Sequence, residues 1–257
     1  MAILHFVANG KGGVGKSTSS IFMLEYFKFK GLDVVGIDAD PLNPTFASYK
    51  EFNVEKLPLM SGDTIDPRQF DILEGRAASL PEDCHMIVDL GSSAFIPFCS
   101  YALENDLFNF LKNGKSEESG DSERPHSHTV ILHTVIASGG SLLESLAGLA
   151  ALVAHFPETP LVVWLNPKDG PISINGMNFY DFEVYENCKK HIRAIIELPT
   201  ANASTTGRDL LEHLALKESF DAALHSTKPL MVRQRLKRYW AECVASLDNA
   251  RLLELAE

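Results

Sequence analysis

The stretch NGKGGVGKST, from Asn9 to Thr18, decides the fold. It lies between the apolar run AILHFVA and the segment SSIFMLEYFKFK, whose apolar residues recur at helical spacing, so the order is strand, loop, helix. Glycine-rich loops in this position wrap a polyphosphate with backbone N–H groups, aided by the positive end of the helix dipole. The pattern GxxxxGK followed by Ser therefore predicts a phosphate-binding loop. Its predicted nucleotide-binding residues are Gly10, Gly12, Gly13, Val14, Gly15, Lys16, Ser17 and Thr18.

The loop carries two lysines. Lys16 is expected to pair with the β- and γ-phosphates of a nucleotide, and the Ser17 hydroxyl to bind Mg²⁺. Lys11 lies at the front of the loop, too far from Lys16 along the chain to duplicate it, and the neighbouring glycines leave it without cover. A solvated lysine and a second phosphate-binding cation are both open readings of Lys11.

Apolar runs alternate with helical patterns along the rest of the chain. Buried strands are predicted at DVVGIDADP, CHMIVDLGSS, TVILHTVIA, PLVVWLNP and RAIIELP, and helices at 95–111, 141–155 and 208–224. This alternation predicts an α/β fold, with a mostly parallel central sheet and helices on both faces. Ligands bind such sheets at the carboxyl ends of the strands, which is where each motif described here falls.

One segment interrupts this alternation. KNGKSEESGDSERPHSH, at 112–128, contains no aliphatic residue and no Phe, Tyr or Trp, so it cannot bury a face. It predicts a mobile surface loop in which His126 and His128 are solvated. Since strands of one sheet are expected on both sides of it, residues 1–257 are predicted to form a single P-loop ATPase domain.

Composition and charge exclude several classes of protein. The formal net charge of −11 disfavours broad DNA binding and allows at most a weak or indirect association with DNA. The four cysteines form no CxxC pair, so neither a disulfide framework nor a zinc ribbon is expected. The N-terminus lacks the features of a secretory signal, and the longest apolar stretch is far shorter than the ~20 residues of a membrane span. A cytoplasmic protein without a membrane span is expected.

Two carboxylate motifs follow predicted strands. The segment DADP places Asp38 and Asp40 after one strand, where such a pair can hold Mg²⁺-bound water and orient an attacking water. The segment IVDLGSS places Asp89 and Gly91 after another. A carboxylate that merely caps the end of a strand is the alternative for Asp89, and the glycine loop favours the functional reading.

The segment KGGVGKST resembles the deviant Walker A motif of the ParA/MinD family of ATPases, and the other motifs come in the order of that family. The resemblance implies that Lys11 reaches across a dimer interface to the nucleotide of the partner, and that Asp40 positions the hydrolytic water. It implies that Asp38 lies beside the metal, that Asp89 accepts from Mg²⁺-bound water, and that the Gly91 N–H senses the γ-phosphate. The cofactors would be ATP and Mg²⁺, and the self-partner an ATP-dependent homodimer with weak intrinsic turnover.

The family resemblance also suggests a base pocket and a biological setting. Asn166 in WLNP and Pro199 in ELPTANAST stand where this family holds adenine, and the absence of NKxD disfavours guanine. Whole segments such as HTVIASGGSLLESLAG and MVRQRLKRYW resemble the TraL/StbC-type ATPases of conjugative plasmids. That likeness implies a plasmid-encoded protein partner and a role in conjugative transfer or in plasmid positioning and partition.

Alternative readings remain open. The chain is also compatible with a metabolic or redox member of the same superfamily, either an ATP-dependent synthetase or an iron–sulfur reductase. Cys99, ten residues past Asp89, is the candidate ligand of an iron–sulfur reductase. A third reading is a nucleotide-sensing adaptor without hydrolysis. The C-terminal cations Arg233, Arg235, Lys237 and Arg238 are spread around a predicted helix, so a solvated helix is favoured over a DNA-binding patch or a membrane anchor.

Overall fold

The computed structural model describes residues 1–113 and 127–254. Strands and helices alternate along the described chain, as the sequence predicts. The strands are β1 Ile3–Val7, β2 Val34–Ala39, β3 Glu55–Lys56, β4 Met60–Ser61, β5 Thr64–Ile65, β6 His85–Leu90, β7 Thr129–Ala137, β8 Leu161–Asn166, β9 Ser173–Ile174, β10 Met177–Asn178 and β11 Ile192–Glu197. The α-helices are α1 Lys16–Phe29, α2 Asp71–Ala78, α3 Phe95–Glu104, α4 Leu107–Asn113, α5 Leu142–His155, α6 Glu183–Cys188, α7 Thr206–Leu216, α8 Phe220–His225 and α9 Leu230–Asn249.

A seven-stranded parallel sheet forms the centre of the protein, in the order β11-β8-β7-β1-β6-β2-β3. β1 lies between β6 and β7, so the chain extends the sheet to one side of β1 and later to the other. The carboxyl end of β1, where the glycine loop begins, is therefore a topological switch point, the usual place for a ligand in such a sheet. The predicted fold class is confirmed.

Both faces of the sheet are covered by helices, and each face has its own apolar core. On one face, Phe22 of α1 packs edge-on against Phe220 of α8 and Trp240 of α9. On the other face, Phe98 of α3 and Phe108 of α4 belong to a core that also includes residues of α2, α5 and α6. This two-sided burial accounts for the nearly continuous apolar sequence of the central strands.

Two of the predicted helices are each divided in two. The expected helix at 95–111 ends at Glu104 and restarts at Leu107, because Asp106 has a φ of 47°, outside the right-handed helical region. The expected helix at 208–224 is α7 and α8, since Lys217 caps the end of α7 with a φ of 56°. The helix predicted at 141–155 is confirmed as Leu142–His155.

Residues at both ends of the segment predicted to be a mobile loop depart from that prediction. Lys112 and Asn113 complete α4, so these residues are helical. His128 was expected to be solvated, and that expectation is wrong, since only 6% of it is exposed. Its backbone N–H donates to Leu111 O at 3.0 Å just before β7 begins. The predicted loop residues 114–126, including His126, lie outside the described residues.

Three buried histidines form a hydrogen-bonded chain across the sheet beneath α1. Trp164 Nε1 donates to His133 Nδ1 at 3.0 Å, His133 Nε2 lies 2.9 Å from His5 Nδ1, and His5 Nε2 lies 3.0 Å from His85 Nδ1. An indole N–H can only donate, so each neutral ring in turn must accept at Nδ1 and donate from Nε2. Burial lowers the pKa of His5 well below its usual value, that of His133 to about 3 and that of His85 to about 4.

Within residues 1–113 and 127–254, no helix combines the length and the apolar character that a bilayer crossing requires.

Candidate functional site

The glycine loop lies at the carboxyl end of β1 and leads into α1, in a conformation that depends on glycine. Gly13 has a φ of 73° and Gly15 a φ of 105°, which side chains with a Cβ rarely adopt. A Cβ on Gly15 would also lie 2.5 Å from Asn166 Nδ2, which donates to Val14 O at 2.9 Å. Asn166, the last residue of β8, thereby fixes the position of the loop. At the front of the loop, Gly10 and Gly12 approach Phe95 and Ser92, the residues that follow β6.

Asn9 fixes the start of the loop to the rest of the fold. It is fully buried, and its Oδ1 accepts from the Lys11 N–H at 2.9 Å. Its Nδ2 lies within hydrogen-bonding distance of Thr134 Oγ1 at 2.9 Å and of Ser145 O at 3.1 Å. A Cβ on Gly148 of α5 would lie 2.5 Å from Asn9 Oδ1, so glycine allows the helix to pack closely against Asn9. Asn9 therefore couples the loop to β7 and α5.

Lys16 is the buried cation of the loop. It is the first residue of α1, only 7% of it is exposed, and its Nζ donates to Lys11 O at 3.1 Å. Burial lowers the pKa of the Lys16 ammonium, while the nearby carboxylates of Asp89 and Asp40 raise it. A buried ammonium next to backbone N–H groups provides the positive charge and the hydrogen-bond donors that bind a polyphosphate.

The Lys11 side chain is not free in solvent, because it forms an ion pair with Glu144. Its Nζ lies 2.8 Å from Glu144 Oε2, in the first turn of α5, and 30% of the Lys11 side chain is exposed. The sequence offered a solvated lysine and an intersubunit cation as readings, and the structure adds an ion pair within one chain. Because the Glu144 side chain is 62% exposed, this pair contributes only about 0–1 kcal/mol and can exchange for another anion.

Asp38 and Asp40 organise the turn that follows β2. Asp38 is 2% exposed and accepts from the Asp40 N–H at 3.0 Å and from the Ala47 N–H at 2.8 Å. Burial raises the pKa of Asp38, and these two backbone N–H donors lower it. Asp40 Oδ1 in turn accepts from the N–H groups of Leu42 and Asn43 at 3.1 and 2.9 Å. Each carboxylate is held in a fixed orientation by backbone donors.

Asp89 lies at the end of β6, opposite Asp38 in the parallel register. Burial raises its pKa to about 7, and hydrogen bonds from the hydroxyls of Ser17 and Ser20 oppose that rise. Ser20 Oγ lies 3.1 Å from Asp89 Oδ1, whereas Oδ2 is buried and has no hydrogen-bond partner among the described residues. An unpartnered carboxylate oxygen beside the Ser17 hydroxyl fits a Mg²⁺ ion or one of its waters, since Mg²⁺ takes few protein oxygens.

Gly91 brings the segment after β6 against the turn that follows β2. A Cβ on Gly91 would lie 2.5 Å from Asp40 Cγ and 2.9 Å from Asp40 Cα, so only glycine allows this approach. The Gly91 N–H, which the family resemblance assigns to sensing a γ-phosphate, donates to Ala39 O at 3.2 Å. Sensing by that N–H therefore requires this bond to open.

A cavity of about 320 Å³ continues from the loop between β8 and α7. Gly13, Gly15 and Thr18 line its loop side, and Asn166 and Pro199 line it after β8 and β11. Its remaining wall is largely apolar, and its lining includes Leu198, Leu210, Leu211 and Leu214. A volume of this size beside a phosphate cradle suits a nucleoside, although Asn166 Nδ2 already donates to Val14 O.

The described residues give no support to an iron–sulfur site. No group of three or more His, Cys, Asp or Glu side chains in the described ranges is placed to hold a metal ion. All four cysteines are buried, and burial raises the pKa of the Cys99 thiol to about 12. Cys99 packs in an apolar core of the protein, where a metal-binding thiolate is disfavoured.

The basic residues at the start of α9 do not form one stripe. Arg235 pairs with Asp209 of α7, Arg238 with Glu242 at 3.1 Å, and Arg233 Nη1 donates to Leu224 O at 3.3 Å. The apolar side of the helix is buried through Leu236, Tyr239, Trp240, Cys243 and Leu247.

Sequence reasoning missed three residues of the site: Asn9, Ser20 and Glu144. Asn9 carries a local signal, because an Asn two residues before a turn N–H commonly accepts from it. Ser20 is one helical turn beyond Lys16, so helical periodicity places it on the side of α1 that faces the loop. Glu144 carries no local signal, since its partner Lys11 is remote in the sequence.

The fold and the loop define a nucleotide-binding protein of the P-loop type. The family model described as the CobQ/CobB/MinD/ParA nucleotide binding domain matches residues 5–246, and the chain belongs to this family. Two relatives, both named Protein TraL and both from Escherichia coli, are 38% and 37% identical over 255 residues, which is 98% of this chain and 100% of each relative.

Solved structures show the same fold at low identity. A protein described as a plasmid partition protein of Borrelia burgdorferi B31, bound to AMPPNP, superposes with a TM-score of 0.51 at 16% identity, covering 97% of this chain and 99% of its own. The septum site-determining protein MinD of Pyrococcus horikoshii OT3, complexed with Mg-ADP, has a TM-score of 0.50 at 13% identity, covering 100% and 99%.

Proposed function

We propose that this protein is a Mg-ATP-dependent dimerisation switch that hydrolyses ATP and acts in conjugative transfer or in plasmid positioning and partition. The observation that carries the proposal is the convergence of Lys16, Asp40 and Asp89 at the carboxyl end of the sheet, beside a glycine loop. In this arrangement the loop N–H groups and Lys16 bind the phosphates. The cavity lined by Asn166 and Pro199 takes the adenosine.

Ser17 and Asp89 are the residues proposed to hold Mg²⁺, with Asp38 behind them. A bound Mg²⁺ supplies positive charge that stabilises the phosphoryl group during transfer. Asp89 must be ionised for this role, and because burial raises its pKa to about 7, a nearby cation favours that ionisation. Binding of metal and nucleotide therefore removes the penalty of burying the Asp89 carboxylate.

Asp40 is proposed to orient the attacking water. Its carboxylate is fixed by the N–H groups of Leu42 and Asn43 and contacts the Gly91 backbone position. A carboxylate held by the turn after β2 and in contact with Gly91 after β6 changes position when either segment moves. The orientation of the attacking water by Asp40 is thereby linked to the conformation of both segments.

Lys11 is proposed to reach the nucleotide of a second copy. Its pair with Glu144 is half-exposed and worth about 0–1 kcal/mol, so a triphosphate competes for it readily. A second cation near the transferring phosphoryl group acts as an arginine finger does in other NTPases. Dimerisation then follows from ATP binding and is required for hydrolysis.

The biological setting rests on the relatives. The chain is similar over nearly its whole length to proteins named TraL, and in fold to a plasmid partition protein. From these we infer a plasmid-encoded protein partner, with DNA association weak or indirect because of the net charge of −11.

The test is a measurement of size and phosphate release with purified protein. ATP with Mg²⁺ should produce a dimer at concentrations where ADP leaves a monomer, and slow phosphate release should accompany it. Lys11→Ala should abolish hydrolysis, and Asp40→Ala should accumulate the ATP-bound dimer. Lys237→Ala, an exposed lysine of α9, is the matched control and should behave as the wild type.

Three outcomes would oppose the proposal in different ways. Normal turnover by Lys11→Ala would remove the intersubunit role of that lysine. Nucleotide binding and dimerisation without any phosphate release would favour the nucleotide-sensing adaptor. Failure to bind ATP at all would remove the proposed activity.

A further inference from the structure

A second cavity, of about 400 Å³, lies between α1, α8 and α9 and shares no lining residue with the nucleotide cavity. Three acidic residues line it: Glu25, Glu51 and Asp221. Its apolar walls include Phe52 and Trp240. The cavity therefore combines negative charge with an aromatic surface, and it lies at the end of α1 remote from the glycine loop.

Glu25 is the unusual group in this cavity. It is 7% exposed, its Oε2 accepts from the Phe220 N–H at 2.8 Å, and its Oε1 has no hydrogen-bond partner in the described part of the chain. Buried polar atoms normally have a hydrogen-bond partner, because burial removes their hydration and a hydrogen bond within the protein offsets that cost. A buried carboxyl with one unpartnered oxygen lines an open cavity, so this oxygen is open to a hydrogen-bonding ligand, and a cationic donor would favour the ionised form of Glu25.

Glu51 is held in place by the protein itself. Its carboxylate accepts from both the N–H and the hydroxyl of Ser219, the latter at 2.8 Å. Ser219 also caps α8 by accepting from the Ala222 N–H at 3.1 Å. The donors at Ser219 are thus consumed by Glu51, and none of them remains for Glu25.

The aromatic wall already accommodates a cation. Lys28 Nζ lies 5.1 Å from the centre of the Phe52 ring, a distance typical of a cation–π contact. Lys28 supplies one positive charge to a cavity with three acidic side chains, which leaves an excess of acidic groups. Neutral or anionic ligands would leave that excess uncompensated.

We propose that this cavity binds an organic cation, an ammonium or guanidinium group on an apolar stem, with Glu25 as its counter-ion. The charged group donates to the unpartnered oxygen of Glu25, and the stem packs against Trp240 and Phe52. Such a cation can be a free amine or the side chain of a lysine or arginine on a partner protein. The proposal is independent of the nucleotide chemistry at the other end of α1.

Binding should release a proton. Burial and the neighbouring carboxylates raise the pKa of Glu25 to about 8, so without a bound cation the group is mostly protonated at pH 7. A cation ionises it and displaces about one proton per site. The titratable groups that face Glu25 from the packed elements are Lys28, Tyr49, Glu51, Asp221 and Cys243.

The experiment is a titration of the full chain with agmatine, followed by tryptophan fluorescence. Trp240 lines the cavity, whereas Trp164 is fully buried in the sheet, so a saturable change reports on this cavity. Glu25→Gln keeps an acceptor for the Phe220 N–H and should weaken agmatine binding at least about tenfold, since a charged partner is lost. Glu104→Gln, an exposed glutamate at the end of α3, is the matched control and should bind as the wild type.

Two further ligands separate charge from shape and identify the source of the cation. Butanol, a neutral analogue of the stem, should bind at least about tenfold more weakly than agmatine. Tighter binding of N-acetylarginine amide than of agmatine would indicate a partner side chain, and the reverse a free amine.

Equal agmatine affinity in wild type and Glu25→Gln would overturn the proposal, as would the absence of saturable binding by either cation. Should Glu25→Gln fail to fold, calorimetry of the wild type in buffers of different ionisation enthalpy decides. Release of about one proton at pH 7 supports the proposal, and binding without proton release contradicts it.

Discussion

The histidine chain across the sheet should make the protein sensitive to acid in a way that one substitution can isolate. His85 is the terminal member of the chain, where it accepts from His5 Nε2 at 3.0 Å. His85→Asn places an amide oxygen near the position of the accepting ring nitrogen, so the His5 N–H keeps an acceptor. The variant loses the titratable ring and its stacking on Phe27 and His5, whose ring centres lie 3.9 and 5.3 Å away.

The size of the effect follows from the pKa of His85 in the two states. Folding lowers this pKa from about 6.5 to about 4, so the unfolded chain binds more protons and stability is lost as the pH falls below about 6.5. Between pH 7.5 and pH 5.0, His85 alone should remove about 2 kcal/mol from the free energy of unfolding of the wild type. His85→Asn should not lose that amount.

The comparison must be made as a difference between proteins. Burial raises the pKa of Asp89 to about 7 and that of Glu25 to about 8, and these carboxyl groups favour the folded state as the pH falls. Their contribution is the same in wild type and variant and cancels in the difference. The lost packing on Phe27 lowers stability at both pH values and cancels as well.

The assay is urea unfolding at pH 7.5 and pH 5.0 for wild type, His85→Asn and His155→Asn, without nucleotide. His155 is exposed at the end of α5, so its variant should follow the wild type. His85→Asn should lose about 2 kcal/mol less than the wild type between the two pH values. If His85→Asn and the wild type lose the same amount within about 0.5 kcal/mol, the neutral buried chain is refuted.

Three further predictions concern the loop and its neighbours. Asn9→Ala should lower the free energy of unfolding by about 3 kcal/mol and weaken nucleotide binding, because Thr134 and the loop lose a buried partner, as urea unfolding and nucleotide titration will measure. Glu144→Gln should favour the ATP-dependent dimer by up to about 2 kcal/mol, since two Lys11 pairs of about 1 kcal/mol no longer compete, and sedimentation with ATP will show whether it does. Asp89→Asn should abolish Mg²⁺-dependent nucleotide binding. Between pH 6 and pH 8 the free energy of unfolding of this variant should fall by about 1.4 kcal/mol less than that of the wild type, because the raised pKa of Asp89 favours folding at low pH. An unchanged pH dependence in Asp89→Asn would contradict this account of its burial.

The local parts of the site could be predicted from the sequence. The order of strand, glycine loop and helix depends on residues adjacent in the chain, as does the placement of Asp38, Asp40 and Asp89 after apolar runs. Parallel strands align their carboxyl ends at one edge of the sheet, so the sequence predicts that these side chains lie close together there. The strands were predicted well for the same reason, since burial on both faces leaves continuous apolar runs.

Helix breaks were predicted less well than strands. The expected helices at 95–111 and 208–224 keep an apolar period through Asp106 and Lys217, where the backbone adopts positive φ. Apolar periodicity indicates which side of a segment is buried. Two short helices packed on the same face therefore show the same periodicity as one long helix.

Only the tertiary structure decided which polar groups are paired and which are left without a partner. The ion pair of Lys11 with Glu144 and the chain through His5 each join residues from distant parts of the sequence. So does the contact of Glu25 with α8, which leaves one carboxylate oxygen without a donor. A sequence fixes the residue types and their local spacing, whereas the partner of a buried polar atom depends on which elements the packed core brings against it.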